Sequence, residues 1–259
     1  MTKSQSAVQL TKELVRMNTI NPPGREEPCA RHLGALLEGA GFQAKYHSYG
    51  EGRVSVIATI GGNASKLPLC FTGHIDTVPL GAATWRMDPF AAETEAGKLY
   101  GRGTSDMKCG VAAFTIAALN MAKRLSGTPG VTLVITAGEE TGCEGAFQLY
   151  RDGVLGQAGA VVVGEPTSNY PFVGHKGALW LTARTRGVTA HGSMPERGVN
   201  AVYKAARAVN ELEEFRFSNP PHALMGQATL NVGSFHGGLN INWYPTKRKS
   251  QSTSVPCLQ

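Results

Sequence analysis

Residues 67–76 read LPLCFTGHID: a mostly apolar run passes without interruption into Thr72, Gly73, His74 and Asp76. A short apolar run of this kind reads as a buried strand, and polar residues at its carboxyl end sit where α/β proteins place their sites. The pattern recurs twice. Residues 131–140 read VTLVITAGEE and residues 160–165 read AVVVGE, so two further apolar runs open onto Glu139-Glu140 and Glu165. A fourth polar cluster, Asp106 in the glycine-rich GRGTSDMK of residues 101–108, precedes an alanine-rich helical stretch over 110–124.

Working outward, apolar residues at helical spacing (Val8, Leu10, Leu14, Val15, Met17) predict a helix over 5–17, stopped by Asn21-Pro22-Pro23-Gly24. A second helix is expected over about 26–40, through Leu33, Leu36 and Leu37, followed by strands over 42–49 and 54–60. Short strands joined by helices and tight loops predict an α/β fold with a mixed, mostly parallel sheet flanked by helices. The texture changes after about residue 175. Residues 178–186 alternate apolar and polar as a half-exposed strand does, 198–214 carry a helical pattern, and 228–232 read as another strand, so a small α+β domain is expected there.

Composition bounds what such a chain does. With 259 residues, 42% of them hydrophobic and 17% charged, it has ordinary globular composition. The net charge of +6 does not point to nucleic acid, because Lys and Arg are scattered apart from Lys247, Arg248 and Lys249. Those three lie in residues 246–259, which show no apolar periodicity and are expected to be a solvated tail. Five cysteines, widely separated and without a CxxC pair, argue for reduced thiols rather than a disulfide framework or a cysteine-zinc site. The amphipathic N-terminus has no signal-peptide core and no run suits a membrane span, so a cytoplasmic location is expected.

Each polar cluster has a plain explanation by itself. Asp106 would serve as a helix N-cap, Glu139-Glu140 as a solvated loop, and Glu165-Pro166 as a turn. Four such clusters after strands of one sheet would instead converge, and imidazole with carboxylates suits zinc or a similar divalent ion. His74 would be a neutral imidazole ligand, and Asp76, two residues on, would accept its other N–H. Asp106 is placed to bridge two metals. Of Glu139 and Glu140, one would bind metal and the other would face the cavity as general base. Glu165 would complete the first ligand shell.

The segments GHIDTVP, DPF, YGRGTSDMKCG, TAGEETG, GEPT and TAHGS, in this order and spacing, resemble the acetylornithine deacetylase and succinyl-diaminopimelate desuccinylase family, with aminoacylases and glutamate carboxypeptidases as relatives. The resemblance runs from about residue 8 to 245. It implies a zinc-exopeptidase-like catalytic domain over 1–175, a lid and dimerisation domain over 176–245, and an unrelated basic tail over 246–259. It implies two zinc ions, replaceable by cobalt: the first on His74, Asp106 and Glu165, the second on Asp106, Glu140 and a histidine near the C-terminus. It makes Glu139 the general base, Asp76 the carboxylate behind His74, and the Asp106–Met107 peptide cis. His191 matches a lid histidine that reaches across a homodimer interface to the scissile carbonyl. Residues 237–245, GGLNINWYP, match the lid's GG-x3-N-x2-P motif, with Asn242 the expected polar contact to substrate.

The implied reaction is hydrolysis of the amide of an N-acyl amino acid, Glu139 taking a proton from water and passing it to the leaving amine. The match stops at Pro245, and no histidine follows His236. The second metal's histidine and the closing strands of the sheet are therefore expected to be missing, leaving a chain of low solubility and little activity. Two other functions share the same residues: a metallo-exopeptidase acting on small peptides, and an inactive truncated remnant kept as a binding or oligomerisation module.

Overall fold

The computed structural model describes residues 5–62 and 65–238 together with the backbone of Ser252–Cys257. The chain divides into two compact units, Met1–Asn169 and Tyr170–Gln259.

The first unit is a mixed five-stranded sheet of β1 (Gln43–Gly50), β2 (Arg53–Ile60), β3 (Leu69–His74), β6 (Val131–Thr136) and β7 (Ala160–Val163), in the order β1-β2-β6-β3-β7. A small antiparallel pair, β4 (Thr94–Glu95) and β5 (Lys98–Leu99), lies between β3 and the third helix in sequence. The ladders β1·β2 and β2·β6 are antiparallel, whereas β6·β3 and β3·β7 are parallel. The three strands that precede the polar clusters therefore run side by side in one direction, and their carboxyl ends share one edge of the sheet.

Helices cover both faces. α1 (Ala7–Val15) starts at Ser6, whose hydroxyl accepts the Gln9 N–H at 3.1 Å, a side-chain N-cap. With α2 (Glu27–Gly39) and α3 (Lys108–Leu125) it supplies Leu10, Leu14, Leu33, Leu37 and Val111 to the main core, against Val56, Ala58, Leu133 and Ile135 of the sheet. The intervening residues Ile57 and Val134 face the other way and pack with Cys70 and Leu149 of α4 (Glu144–Arg151). This alternation is the period of two that a strand imposes on its side chains. Gly110, in the first turn of α3, lies where a Cβ would collide with the Gly164 carbonyl oxygen; the absent side chain lets the helix approach the loop after β7.

The second unit contains β8 (Leu179–Arg184), a short 3-10 turn at Pro195–Arg197, α5 (Ala201–Glu213) and β9 (Ser252–Cys257). Asn200 caps α5, its side-chain oxygen accepting the N–H groups of Val202 and Tyr203 at 2.8 and 3.2 Å.

Two expectations fail here. Residues 228–232, whose alternation predicted a strand, form none: alternation marks a strand only where a neighbour supplies a ladder. Residues 246–259, expected to be a solvated tail, contain β9, which pairs antiparallel with β8 from Leu179↔Cys257 to Arg184↔Ser252. Ser, Thr and Val carry no apolar alternation there, yet their backbones satisfy the N–H and C=O groups of an otherwise open edge.

Candidate metal centre

Strand register brings the clusters to one level. His74 ends β3 opposite Thr136 of β6, and Ile75 N–H donates to the Thr136 carbonyl at 2.9 Å. On the other side Thr72 is opposite Val163, and Gly164 N–H donates to the Thr72 carbonyl at 3.0 Å, so Glu165 follows at the height of His74. Asp106 arrives from the loop ahead of α3. It is not the N-cap of that helix: Met107 holds the position, without a side-chain capping bond. Gly101 and Gly103 in this loop have positive φ, and the Asp106–Met107 peptide is cis, as the resemblance implied.

Three of the acidic residues singled out near this edge face one imidazole nitrogen. His74 Nε2 lies 3.1 Å from Asp106 Oδ1, 3.6 Å from Glu165 Oε1 and 3.9 Å from Glu139 Oε2. His74, Asp106 and Glu140 offer ligand atoms that all lie within 4.8 Å of one another. The imidazole is buried, whereas the side chains of Asp106, Glu139 and Glu165 are 58%, 40% and 37% exposed, so the cluster opens on solvent.

The other ring nitrogen fixes the tautomer. His74 Nδ1 donates to the backbone carbonyl of Asp76 at 3.0 Å, which leaves the Nε2 lone pair to face the carboxylates when the ring is neutral. The expected acceptor was the Asp76 carboxylate, and here the structure differs. Its Oδ1 is 3.4 Å from Nδ1, and the carboxylate instead accepts the backbone N–H groups of Glu139 at 3.0 Å and Glu140 at 3.1 Å and the side-chain amide of Asn21 at 2.8 Å. Asp76 therefore ties His74 to the loop carrying the two glutamates. A carboxylate that satisfies two backbone donors can be spared for this because the backbone carbonyl of the same residue serves the histidine.

Protonation follows from this crowding. Burial alone would lower the His74 pKa, but the hydrogen bond to Asp106 and the nearby carboxylates of Asp76 and Glu165 push it up to about 11. Burial raises the Glu140 carboxyl; the His74 charge opposes this, but Asp106, Glu139 and Asp76 repel a further negative charge and the group reaches about 7. Burial also raises Glu165. Asp76 goes the other way: burial would raise it, but the neighbouring His74 ring and the hydrogen bond from Asn21 hold it below the usual carboxylate range. A site that holds protons where carboxylates crowd is one in which a divalent ion is a strong competitor for those protons. The nitrogen and oxygen donors and the locked tautomer fit such an ion.

Several supporting residues escaped the sequence reading. Lys108, first residue of α3, is 1% exposed and its ammonium donates to the carbonyls of Leu14 at 3.0 Å and Met17 at 2.8 Å, anchoring α3 to the end of α1. A cation in the first turn of a helix opposes the macrodipole, which is the signal that something else holds it there. Asn21 was read only as a helix stop. Its neighbours form a short zipper with the segment after β3: Asn21 N–H donates to the Thr77 carbonyl at 2.9 Å and Thr77 N–H to the Thr19 carbonyl at 3.1 Å.

His191 belongs to the second unit. It is exposed, and its Nδ1 accepts the Ser193 N–H at 3.3 Å, with Ser193 Oγ at 2.8 Å, which leaves Nε2 as the protonated nitrogen of the neutral ring. Asn242 lies outside the described residues.

Carboxylates and one oriented imidazole gathered at the carboxyl ends of parallel strands define an α/β metal-site protein. The model of Peptidase family M20/M25/M40 matches residues 70–237. A probable succinyl-diaminopimelate desuccinylase from Staphylococcus epidermidis is 34% identical over 212 residues, covering 81% of this chain and 51% of the relative. An acetylornithine deacetylase from Proteus mirabilis is 33% identical over 248 residues, covering 91% of this chain and 63% of the relative. Among solved structures, an M20 family metallo-carboxypeptidase from Sulfolobus solfataricus superposes with a TM-score of 0.72 at 18% identity, over 98% of this chain and 70% of that one. The chain belongs to Peptidase family M20/M25/M40. It spans about half the length of the first of these curated relatives.

Proposed function

We propose that this chain is the metal-binding part of a hydrolase that cleaves the amide bond of N-acyl amino acids, of the desuccinylase or deacetylase type. The observation that carries this reading is the convergence of Asp106, Glu139 and Glu165 on His74 Nε2 while Nδ1 is committed to the Asp76 carbonyl. The names of the curated relatives support the substrate class. Zinc is the preferred ion for this donor set, with cobalt as a substitute; His74, Asp106 and Glu165 would hold the first ion, and Asp106 and Glu140 the second. When bound, the ions supply Lewis acidity that lowers the pKa of water and polarises the amide carbonyl.

The chain's own groups do the rest. Glu139 is half exposed at the mouth of the cluster, where it takes a proton from the attacking water and returns it to the leaving amine. Its backbone N–H is held by Asp76, so the carboxylate leaves from a fixed point. His191, with Nε2–H free to donate, would stabilise the developing oxyanion, which requires the second unit to act as a lid and homodimer element. Asn242 would contact the substrate, and the enzyme would work in the cytoplasm.

The test is to titrate metal-free chain with zinc and then offer N-succinyl and N-acetyl amino acids beside dipeptides. Wild type should bind zinc and release amine from the acyl substrates, and Glu139→Gln should keep zinc while losing turnover by about 10²–10⁴-fold. Preference for dipeptides would favour a metallo-exopeptidase, which uses the same side chains. Zinc binding without any turnover would favour the inactive remnant, and undiminished turnover in Glu139→Gln would remove Glu139 from the mechanism.

A further inference from the structure

The turn that carries Glu139 and Glu140 faces an electrostatic difficulty. It joins β6 to α4 through a compact set of backbone bonds: Gly142 and Cys143 N–H both donate to the Glu139 carbonyl at 2.9 Å, and Glu144 N–H donates to the Gly138 carbonyl at 2.8 Å. Gly138 and Cys143 both sit at positive φ, +70° and +58°. The turn presents two adjacent carboxylates toward Asp106 and Glu165, and like charges at that spacing push it outward. Asp76 restrains it from the inside. A second tie restrains it from the flank.

That tie is a continuous line of hydrogen bonds. Asn21 Nδ2 donates to Asp76 Oδ2 at 2.8 Å and to Thr141 Oγ1 at 2.8 Å. Thr141 Oγ1 donates its one proton to Glu144 Oε2 at 2.9 Å. Glu144 Oε2 lies 3.4 Å from the Arg53 guanidinium, whose Nε is 2.9 Å from Glu26 Oε2, and Glu26 is fully buried. Arg53 also stacks over the Tyr49 ring at 5.0 Å.

Donor and acceptor counting fixes the direction of the line. A hydroxyl that gives its proton to Glu144 has only lone pairs left for Asn21, so it must receive there. Asn21 must then turn its NH₂ toward both Asp76 and Thr141, and its Oδ1 is left buried with no partner among the described residues. Reversing that amide would set its oxygen against the Asp76 carboxylate, which is worse than leaving one acceptor unpaired. Thr141 Oγ1 is the joint of the line, accepting from Asn21 on one side and donating to Glu144 on the other.

We propose that Thr141 is a positioning residue for the Glu139–Glu140 turn: its hydroxyl couples Asn21 and Asp76 on the inside to Glu144 and Arg53 on the outside, and so holds both glutamates against their mutual repulsion. The metal-site reading enters only through the second measurement below.

Thr141→Val keeps the shape and removes the relay; Thr141→Ser keeps the relay and removes a methyl. Hydrogen exchange of the metal-free full chain, read on peptides covering residues 137–145, should quicken by roughly tenfold in Thr141→Val and stay near wild type in Thr141→Ser. Zinc titration should show Thr141→Val weaker by about 10–100-fold, the usual cost of losing a partner behind a ligand, with Thr141→Ser restored. The metal-free melting temperature of both variants should match wild type, because the side chain is only half buried. Wild-type exchange in Thr141→Val, or a Thr141→Ser turn as loose as that of Thr141→Val, overturns the proposal. Wild type that takes up no zinc sinks the metal reading instead, and the exchange result still decides the role of the hydroxyl.

Discussion

The two units of this chain solve the problem of stability differently. In the first, six residues that define the centre, Leu10, Leu14, Leu33, Leu37, Leu133 and Ile135, are fully buried between helices and sheet. In the second, the buried apolar residues among those described are Ala201 and Ala205, while Leu179, Trp180 and Leu181 of β8 are each more than half exposed. Both units have hydrogen-bonded strand pairs. The difference lies in side-chain burial, and it shows that a hydrogen-bonded pair of strands is a different thing from a core: a two-stranded ladder is marginal in water, and packing supplies most of the stability. The metal-site cluster stands on the unit that has the core. That is what a constellation held to fractions of an ångström requires.

The comparison can be broken most directly in the core. Leu133→Ala should cost about 2–5 kcal/mol in urea unfolding, the range for emptying a fully buried leucine site, whereas Leu181→Ala, at a position 52% exposed, should stay within about 0.5 kcal/mol. Equal costs would mean that β8 packs against something as apolar as the first unit's core.

The next effect is on pH. Glu140 keeps a proton in the folded metal-free chain up to about 7, against an ordinary value of 4.5. Its contribution to stability is therefore complete below 4.5 and is lost as pH rises through 7. His74, raised from 6.5 to about 11, continues the loss with the same sign on the alkaline side. Asp76 acts oppositely, its lowered carboxyl losing stability only as pH falls below its ordinary 3.8. The melting temperature of the chelator-treated protein should thus decline from pH 4.5 toward 7, zinc should reverse that slope, and Glu140→Gln should flatten this part of the curve. A flat wild-type curve would mean that burial and the neighbouring carboxylates do not hold a proton on Glu140.

The smallest effect should come from His191→Ala. The side chain is exposed and, among the described residues, bonded to Ser193, so stability should move by less than about 0.5 kcal/mol and zinc affinity not at all. A loss of zinc binding in this variant would join the histidine to the metal centre and end the separation of roles.

How far the residues could be read in advance differs from element to element. The strands leading to His74, Glu139 and Glu165 were legible because a continuous apolar run bounded by glycine has few other meanings, and α3 was legible from its alanine-rich period. The acidic and histidine cluster could be named residue by residue, since each member closes such a run or opens such a helix. Residues 228–232 and 252–257 could not be read, because pairing on a strand edge depends on which neighbour arrives and not on the strand's own pattern. Lys108, Asn21 and Thr141 were invisible for a related reason: each acts through a partner 55 or more positions away, Leu14, Asp76 and Asn21 respectively.

Local order of residues, by itself, singled out the polar side chains that gather at this edge and the kind of element on which each would ride. That information is local, because helix and strand periods repeat within a few residues. Only the tertiary structure decided that the Asp76 backbone rather than its carboxylate serves His74, that the freed carboxylate grips the Glu139–Glu140 turn, and that Thr141 closes the line to a buried Glu26. Those choices follow from counting donors and acceptors in a crowded, low-dielectric place, and the count exists only once distant segments have met.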